Sequence, residues 1–259
     1  MVNIEVDVAV PLLRSAVYKV LSRGFALPSN DISSSISDGA YMDELKEAVS
    51  VLQDLGFDED GVLSEPLEAL DRAVEEVRGL TLEEFQSEFL SIFGYTISRE
   101  YPPYETQYGC SHVFQQTQEL ADIAGFYKAF GLEIGSNAGE RLDHISIELE
   151  YMHFLTYKEA HARKRHGPDK AEICVNAQRK FLDEHLGSWI FHYAKLFRRK
   201  IKEGFYRGLT DFMEAFISSD MSWLGIEVTR PGKTTLTPYP DSDDTCVSCP
   251  MSEDRTSPG

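Results

Sequence analysis

Residues 140–154 read Glu140-Arg-Leu-Asp143-His144-Ile145-Ser-Ile-Glu148-Leu149-Glu150-Tyr151-Met152-His153-Phe154. Leu142, Ile145, Leu149 and Met152 recur at spacings of three and four, the period of a helix with one buried face. The spacing predicts a helix over 140–161. The same period governs the chain on both sides. Downstream it predicts helices over 169–186 and 188–206, then a short one over 211–217. Upstream, 111–130 reads as a helix with Phe114, Thr117, Leu120, Ala121 and Ala124 on its inner side; Gly131 stops it, and 135–139 form a turn. Pro11 suits a first helical position, ahead of a stripe of Leu13, Val17, Val20 and Leu21. The Ser/Asp/Gly-rich stretch 30–39 reads as a loop. Met42, Leu45, Val49 and Leu52 line a helix that Gly56 ends, and an acidic helix covers 65–78. Thr81 and Glu84 form a capping box ahead of Phe85, Phe89, Ile92 and Phe93. No strand alternates with these helices and no repeat recurs at a fixed period. The expectation is an all-α helical bundle in one domain, 1–225. A Pro/Ser/Asp-rich flexible tail, 226–259, carries Cys246-x-x-Cys249.

The chain has 259 residues, 42% of them hydrophobic, which is enough to build a core. Its formal charge is −18, a field that repels phosphate backbones and anionic lipid. No apolar run approaches the roughly 20 residues that span a bilayer, and the acidic N-terminus is no export signal. Nucleic-acid binding and membrane insertion are therefore not expected; a cytoplasmic protein is. Four cysteines in a chain this long do not make a disulfide scaffold. Charge is segregated: residues 38–88 hold sixteen acids against three bases, and residues 158–202 hold twelve bases against five acids. Such segregation permits a homodimer without requiring one.

Motifs for chemistry are sparse. There is no phosphate loop and no Gly-x-Ser-x-Gly elbow, so no catalytic residue, nucleotide site or cofactor is assigned and an enzyme is not expected. Glu150 and His153 form a Glu-x-x-His pair, but a di-iron carboxylate bundle needs a second such pair and two further glutamates. The tail dithiol lacks the two other ligands of a structural zinc site. A metal-binding or redox helical protein built on Glu150/His153 or on Cys246/Cys249 stands as the alternative reading. The remaining candidate is a binding surface. Residues 98–108, Ser-Arg-Glu-Tyr-Pro-Pro-Tyr-Glu-Thr-Gln-Tyr, join two rigid prolines to Tyr101, Tyr104 and Tyr108, side chains of the kind that anchor interfaces.

Taken in order, these segments resemble the TorD/DmsD/NarJ family of redox-enzyme maturation chaperones. The family signature, an acidic residue followed by Pro-Asp-His, an aliphatic residue and Glu-Leu-Glu-Phe-Met, is similar to Glu140 through Met152. Pro102-Pro103-Tyr104-Glu105 with Tyr108 resembles the family's Pro-Tyr-Glu segment, and Gln118 to Tyr127 its following helix. The wording is most like that of chaperones serving type II DMSO-reductase-family enzymes. Leu142 stands where the family usually has proline, which lets the helix begin earlier, capped by Asn137 with Glu140. The resemblance implies a non-catalytic cytoplasmic chaperone. Its partner would be the catalytic subunit precursor of a molybdenum oxidoreductase, bound with its twin-arginine leader and held until the molybdopterin cofactor is inserted. On that reading Glu105, Asp143 and Glu148 meet the leader's arginines. His144 shapes the site and makes binding pH-sensitive, while Tyr104, Tyr108 and Tyr151 pack the apolar end.

Overall fold

A computed structural model describes residues 4–58, 60–94, 98–108, 113–133 and 140–228. Among these no strand forms. The helices are α1 (Ile4–Phe25), α2 (Asn30–Ser37), α3 (Ala40–Asp54), α4 (Ser64–Val77), α5 (Leu82–Phe93), α6 (Val113–Ala129), α7 (Ile145–Arg165), α8 (Pro168–Phe181), α9 (Gly187–Lys200) and α10 (Phe205–Trp223). The all-α reading holds. α1 lies along α7, which packs on α8, while α10 lies against α4 and α9. The turn expected at 135–139 and the tail from 229 onward lie outside the described residues. Gly225, at φ 74°, ends the last helix, and Ile226 and Val228 still pack against the core, so the body runs past the expected boundary at 225.

Several elements differ from expectation, each for a packing reason. α1 begins at Ile4, which places Pro11 inside the helix instead of at its start. Val10 is buried upstream of it, and that apolar contact offsets the amide donor proline lacks. Residues 30–37 are a helix, not a loop, because Ile32 and Ile36 fall four apart and both are buried. α10 is far longer than 211–217. Phe205, Leu209, Phe212, Met213, Phe216 and Met221 form one continuous buried stripe after Gly204 at φ 94°. α6 is rotated from the expected face: Ile123 and Tyr127 are buried, whereas Thr117 and Ala121 are exposed. The capping box of α5 forms as expected, with Glu84 N donating to Thr81 Oγ1 and Thr81 N to Glu84 Oε2.

Two internal features organise the bundle. Arg14 of α1 is 1% exposed and sits among side chains from three other helices. It donates to both carboxylate oxygens of Asp220, to Gln178 Oε1 at 2.8 Å and to Glu159 Oε2 at 3.4 Å. Tyr18 donates to Asp220 Oδ2 at 2.6 Å. The second feature is the joint between α8 and α9, a π-helical turn over Leu182–Leu186. Gly187 follows it because a Cβ there would lie 2.3 Å from the Leu182 carbonyl oxygen and 2.8 Å from Met221 Sδ. The wider turn re-aims His185 inward, toward the loop that precedes α6.

Candidate functional site

The two prolines of the 98–108 segment hold it extended, and short 3₁₀ turns at Ser98–Glu100 and Glu105–Gln107 fold its ends. Its middle is stitched to the chain entering α7. Ile145 N donates to the Pro103 carbonyl and Glu105 N to the Asp143 carbonyl, both at 3.0 Å, giving an isolated antiparallel bridge between Tyr104 and His144. The Asp143 carboxylate is wholly buried. It accepts from Thr106 Oγ1 at 2.8 Å, from Thr106 N at 3.3 Å and from Arg141 at 2.8 and 3.0 Å. Arg141 also lies 4.9 Å from the Tyr104 ring centroid, and Tyr104 donates its hydroxyl proton to Glu140 Oε2 at 3.1 Å.

His144 is the N-cap of α7: its Nδ1 accepts from Ser146 N at 3.3 Å and pairs with Ser146 Oγ at 2.7 Å. The helix thus starts at Ile145, and Glu140 stands outside it. The early start is not what forms, because an Nδ1 acceptor at 144 already serves a first-turn amide; Asn137, the expected cap, lies outside the described residues. Burial, aided by the Arg141 charge, pushes the His144 pKa down to about 3. His144 therefore does not titrate near neutrality, which corrects its expected role as a pH sensor. Its effect on stability has a definite sign. The unfolded histidine takes up a proton below about 6.5 while the folded one does not, so stability falls as pH drops from 6.5 toward 3.

Behind the loop lies a second group of expected residues. Glu105 Oε1 lies 2.9 Å from His185 Nδ1, and the Trp189 indole donates to Glu148 Oε2 at 3.0 Å. Burial, the Glu105 charge and a hydrogen bond with Glu105 push the Glu148 pKa well above the usual carboxylate range, against the lowering effect of Trp189. Glu105 Oε2 and Glu148 Oε1 are buried without a hydrogen-bond partner. Tyr108 donates to the Pro102 carbonyl at 2.8 Å and packs on Trp189. Tyr151 donates to the Phe126 carbonyl at 3.0 Å, with its ring against Tyr127 and Phe181.

Glu148→Gln tests this arrangement, since the amide mimics the protonated acid. Above pH 4.5 the unfolded glutamate ionises and the folded one does not, so the wild type loses stability as pH rises. The glutamine variant escapes that loss. Urea melts at about pH 5 and about pH 8 are expected to show its stability relative to wild type improving with pH, by up to about 1.4 kcal/mol per unit. A pH-independent difference would mean that Glu148 is ionised in the fold.

All seven expected site residues thus converge, but inward. Glu105, Tyr108, Asp143, His144, Glu148 and Tyr151 are buried and Tyr104 is half-buried. The three carboxylates have internal partners and do not face solvent. The exposed feature beside them is a groove of about 410 Å³ between the end of α6, residues 140–142 and α7. Tyr127, Leu132, Leu142, Ile147, Tyr151 and Phe154 make its apolar floor, and Glu133, Glu140 and Glu150 bring carboxylates to its edge. His153 also lines it, with Nδ1 held at 2.7 Å from Ser15 Oγ. Glu150 is exposed, and no third ligand joins Glu150 and His153 among the described residues. Sequence reasoning passed over Arg141, Thr106 and His185. Arg141 lies only two residues from the carboxylate it holds, but His185 comes from a distant helix joint with no motif around it.

Comparison with known proteins accords with this architecture. Residues 59–195 match the model of the family described as nitrate reductase delta subunit, and the chain belongs to that family, which is the TorD/NarJ family of the sequence reading. It is 29% identical over 219 residues to the perchlorate reductase assembly chaperone protein of Dechloromonas aromatica, covering 84% of this chain and 92% of that one. It is 30% identical over 114 residues to the selenate reductase assembly chaperone protein of Thauera selenatis, 44% of this chain and 57% of the other. It is also 26% identical over 166 residues to the chaperone protein TorD of Photobacterium profundum, 62% and 74% of the two chains. No described helix is long and apolar enough to cross a membrane.

Proposed function

We propose that this chain is a cytoplasmic, non-catalytic assembly chaperone for the catalytic subunit of a molybdenum oxidoreductase, and that it receives the subunit's twin-arginine leader in the groove beside Tyr104. Family membership and the names of the relatives support the first part. One observation carries the second: an apolar floor edged by Glu133, Glu140 and Glu150. A twin-arginine leader is the complementary object, two guanidinium groups followed by an apolar run of about a dozen residues. The carboxylates pair with the guanidinium forks and the floor takes the apolar run, as a groove takes a helix face. Asp143 and His144 act by position: they fix the loop that holds Tyr104 and, through it, Glu140 at the groove's edge. Glu105, Tyr108, Glu148 and Tyr151 pack behind that edge.

The test begins with affinity capture from native-host lysate under anaerobic respiration. The wild-type chain is expected to recover a molybdoenzyme catalytic subunit identifiable by mass spectrometry, and the Glu133→Lys/Glu140→Lys/Glu150→Lys chain to lose it. A fluorescent peptide of the captured subunit's leader should then bind the reversed chain at least about tenfold more weakly, each tenfold being about 1.4 kcal/mol. Failure to recover any such subunit, in cells that demonstrably express one, overturns the chaperone reading. Equal leader binding by both chains keeps the chaperone and removes the groove.

A further inference from the structure

The joint between α8 and α9 brings Glu184 and His185 beside Asp122 of α6, with one donor atom from each side chain within 4.8 Å of the others. Asp122 and Glu184 are exposed, as carboxylates usually are without a ligand. His185 is different. Its side chain is 4% exposed, its Nε2 is 3.5 Å from Asp122 Oδ2, and that buried nitrogen has no hydrogen-bond partner. The nitrogen on the other side of the ring, Nδ1, faces Glu105 Oε1 at 2.9 Å. This is the carboxylate–histidine arrangement that fixes a ring with its Nε2 lone pair turned toward a metal. Glu184 and His185 both lie in the π turn, Glu184 exposed at its surface and His185 buried beneath it.

We propose that Asp122, Glu184 and His185 Nε2 form a binding site for a divalent cation of the zinc type, with Glu105 as the outer partner of the imidazole. Two carboxylate oxygens and one imidazole nitrogen are a donor set that zinc accepts, leaving a fourth position toward solvent. Lys180 Nζ lies 3.5 Å from Glu184 Oε2. It is well exposed and swings outward when a cation takes its place. The ion would clamp α6 to the α8–α9 joint and, through Glu105, to the proline-rich loop. The site is separate from the groove and requires no client for its test.

The tail thiols also attract zinc, so the test uses the full chain carrying Cys246→Ser/Cys249→Ser. After dialysis against micromolar Zn²⁺ near neutral pH, mass spectrometric metal analysis is expected to find one zinc per chain. Asp122→Asn/Glu184→Gln in the same background alters only exposed side chains, and a circular dichroism melt checks that it is folded. It is expected to bind zinc at least about tenfold more weakly. The His185 ring ¹⁵N signal of the parent should shift at Nε2 on zinc addition. A chain that takes up no zinc once the tail thiols are gone overturns the proposal, as does retention of zinc by the amide variant or a shift confined to other histidines.

Discussion

Arg14→Ala is expected to lower the unfolding free energy by about 3–5 kcal/mol, the cost of leaving a buried charge without its partner. Asp220 is wholly buried and Glu159 nearly so, and the guanidinium of Arg14 is the cation that both face in the core. Burial by itself would lower the Arg14 pKa, but Asp220, and after it Glu159, raise it, so the group is charged in the fold. Gln178 donates to Glu159 Oε2 at 2.9 Å and Arg163 to Glu159 Oε1 at 2.8 Å. Those contacts hold Glu159 but leave Asp220 with only the Tyr18 hydroxyl. Urea denaturation at neutral pH measures the loss. A companion, Arg14→Met/Asp220→Leu, removes both charges at similar volume and is expected to recover a large part of it. If the double variant is as unstable as Arg14→Ala, the loss does not come from leaving the Asp220 charge unpaired.

Asp143→Ala is expected to have the largest effect near the candidate site, about 2–4 kcal/mol, because it orphans a buried amide and a buried hydroxyl together. Thr106 N, Thr106 Oγ1 and Arg141 all converge on that carboxylate. Without it the 101–108 loop loses its side-chain tie to the start of α7, while the backbone bridge at Tyr104 and His144 remains. Hydrogen exchange at the Thr106 amide should accelerate by at least about a hundredfold, corresponding to about 2.7 kcal/mol. Asp143→Asn keeps one acceptor oxygen and is expected to fall between wild type and alanine. Protection at Thr106 unchanged in the alanine variant would show that the backbone bridge alone holds the loop.

The helical period of α3, α4 and α5 was legible because each buries one clean stripe, and that of α7 because Ile145, Leu149 and Met152 mark the centre of its broad buried face. α2 was not, since its serines and aspartate mask two isoleucines four apart that suffice to seat it. α6 was read on the wrong face. Its inner residues, Ile123 and Tyr127, are bordered by the half-buried Phe126 and Leu120, so the stripe is broad and its centre ambiguous. The start of α7 shifted because an N-cap histidine looks, in sequence, like one more helical residue.

The candidate site was half legible. Glu105, Tyr108, Asp143, His144 and Glu148 stand out by their order along the chain, and the structure does bring them together. Their burial was not visible, because it depends on His185 and Trp189, which lie 80 and 41 residues from the glutamates they meet. Pairings across such separations follow from how helices cross, for which no spacing rule exists. The groove's carboxylates were invisible for the opposite reason: Glu133 and Glu150 look like any other solvated charge in an acidic chain.

The placement of the two tryptophans has a practical consequence. Trp189 is 1% exposed, with its indole N–H on Glu148 and its ring beside Tyr108, while Trp223 is 43% exposed at the far end of α10. With Trp223→Phe the chain keeps a single tryptophan, at the heart of the loop contact, which can be excited selectively over the tyrosines. Its emission then reports, without any attached dye, each event that reaches Glu148 or the proline-rich loop, whether ion uptake at the helix joint or arrival of a leader.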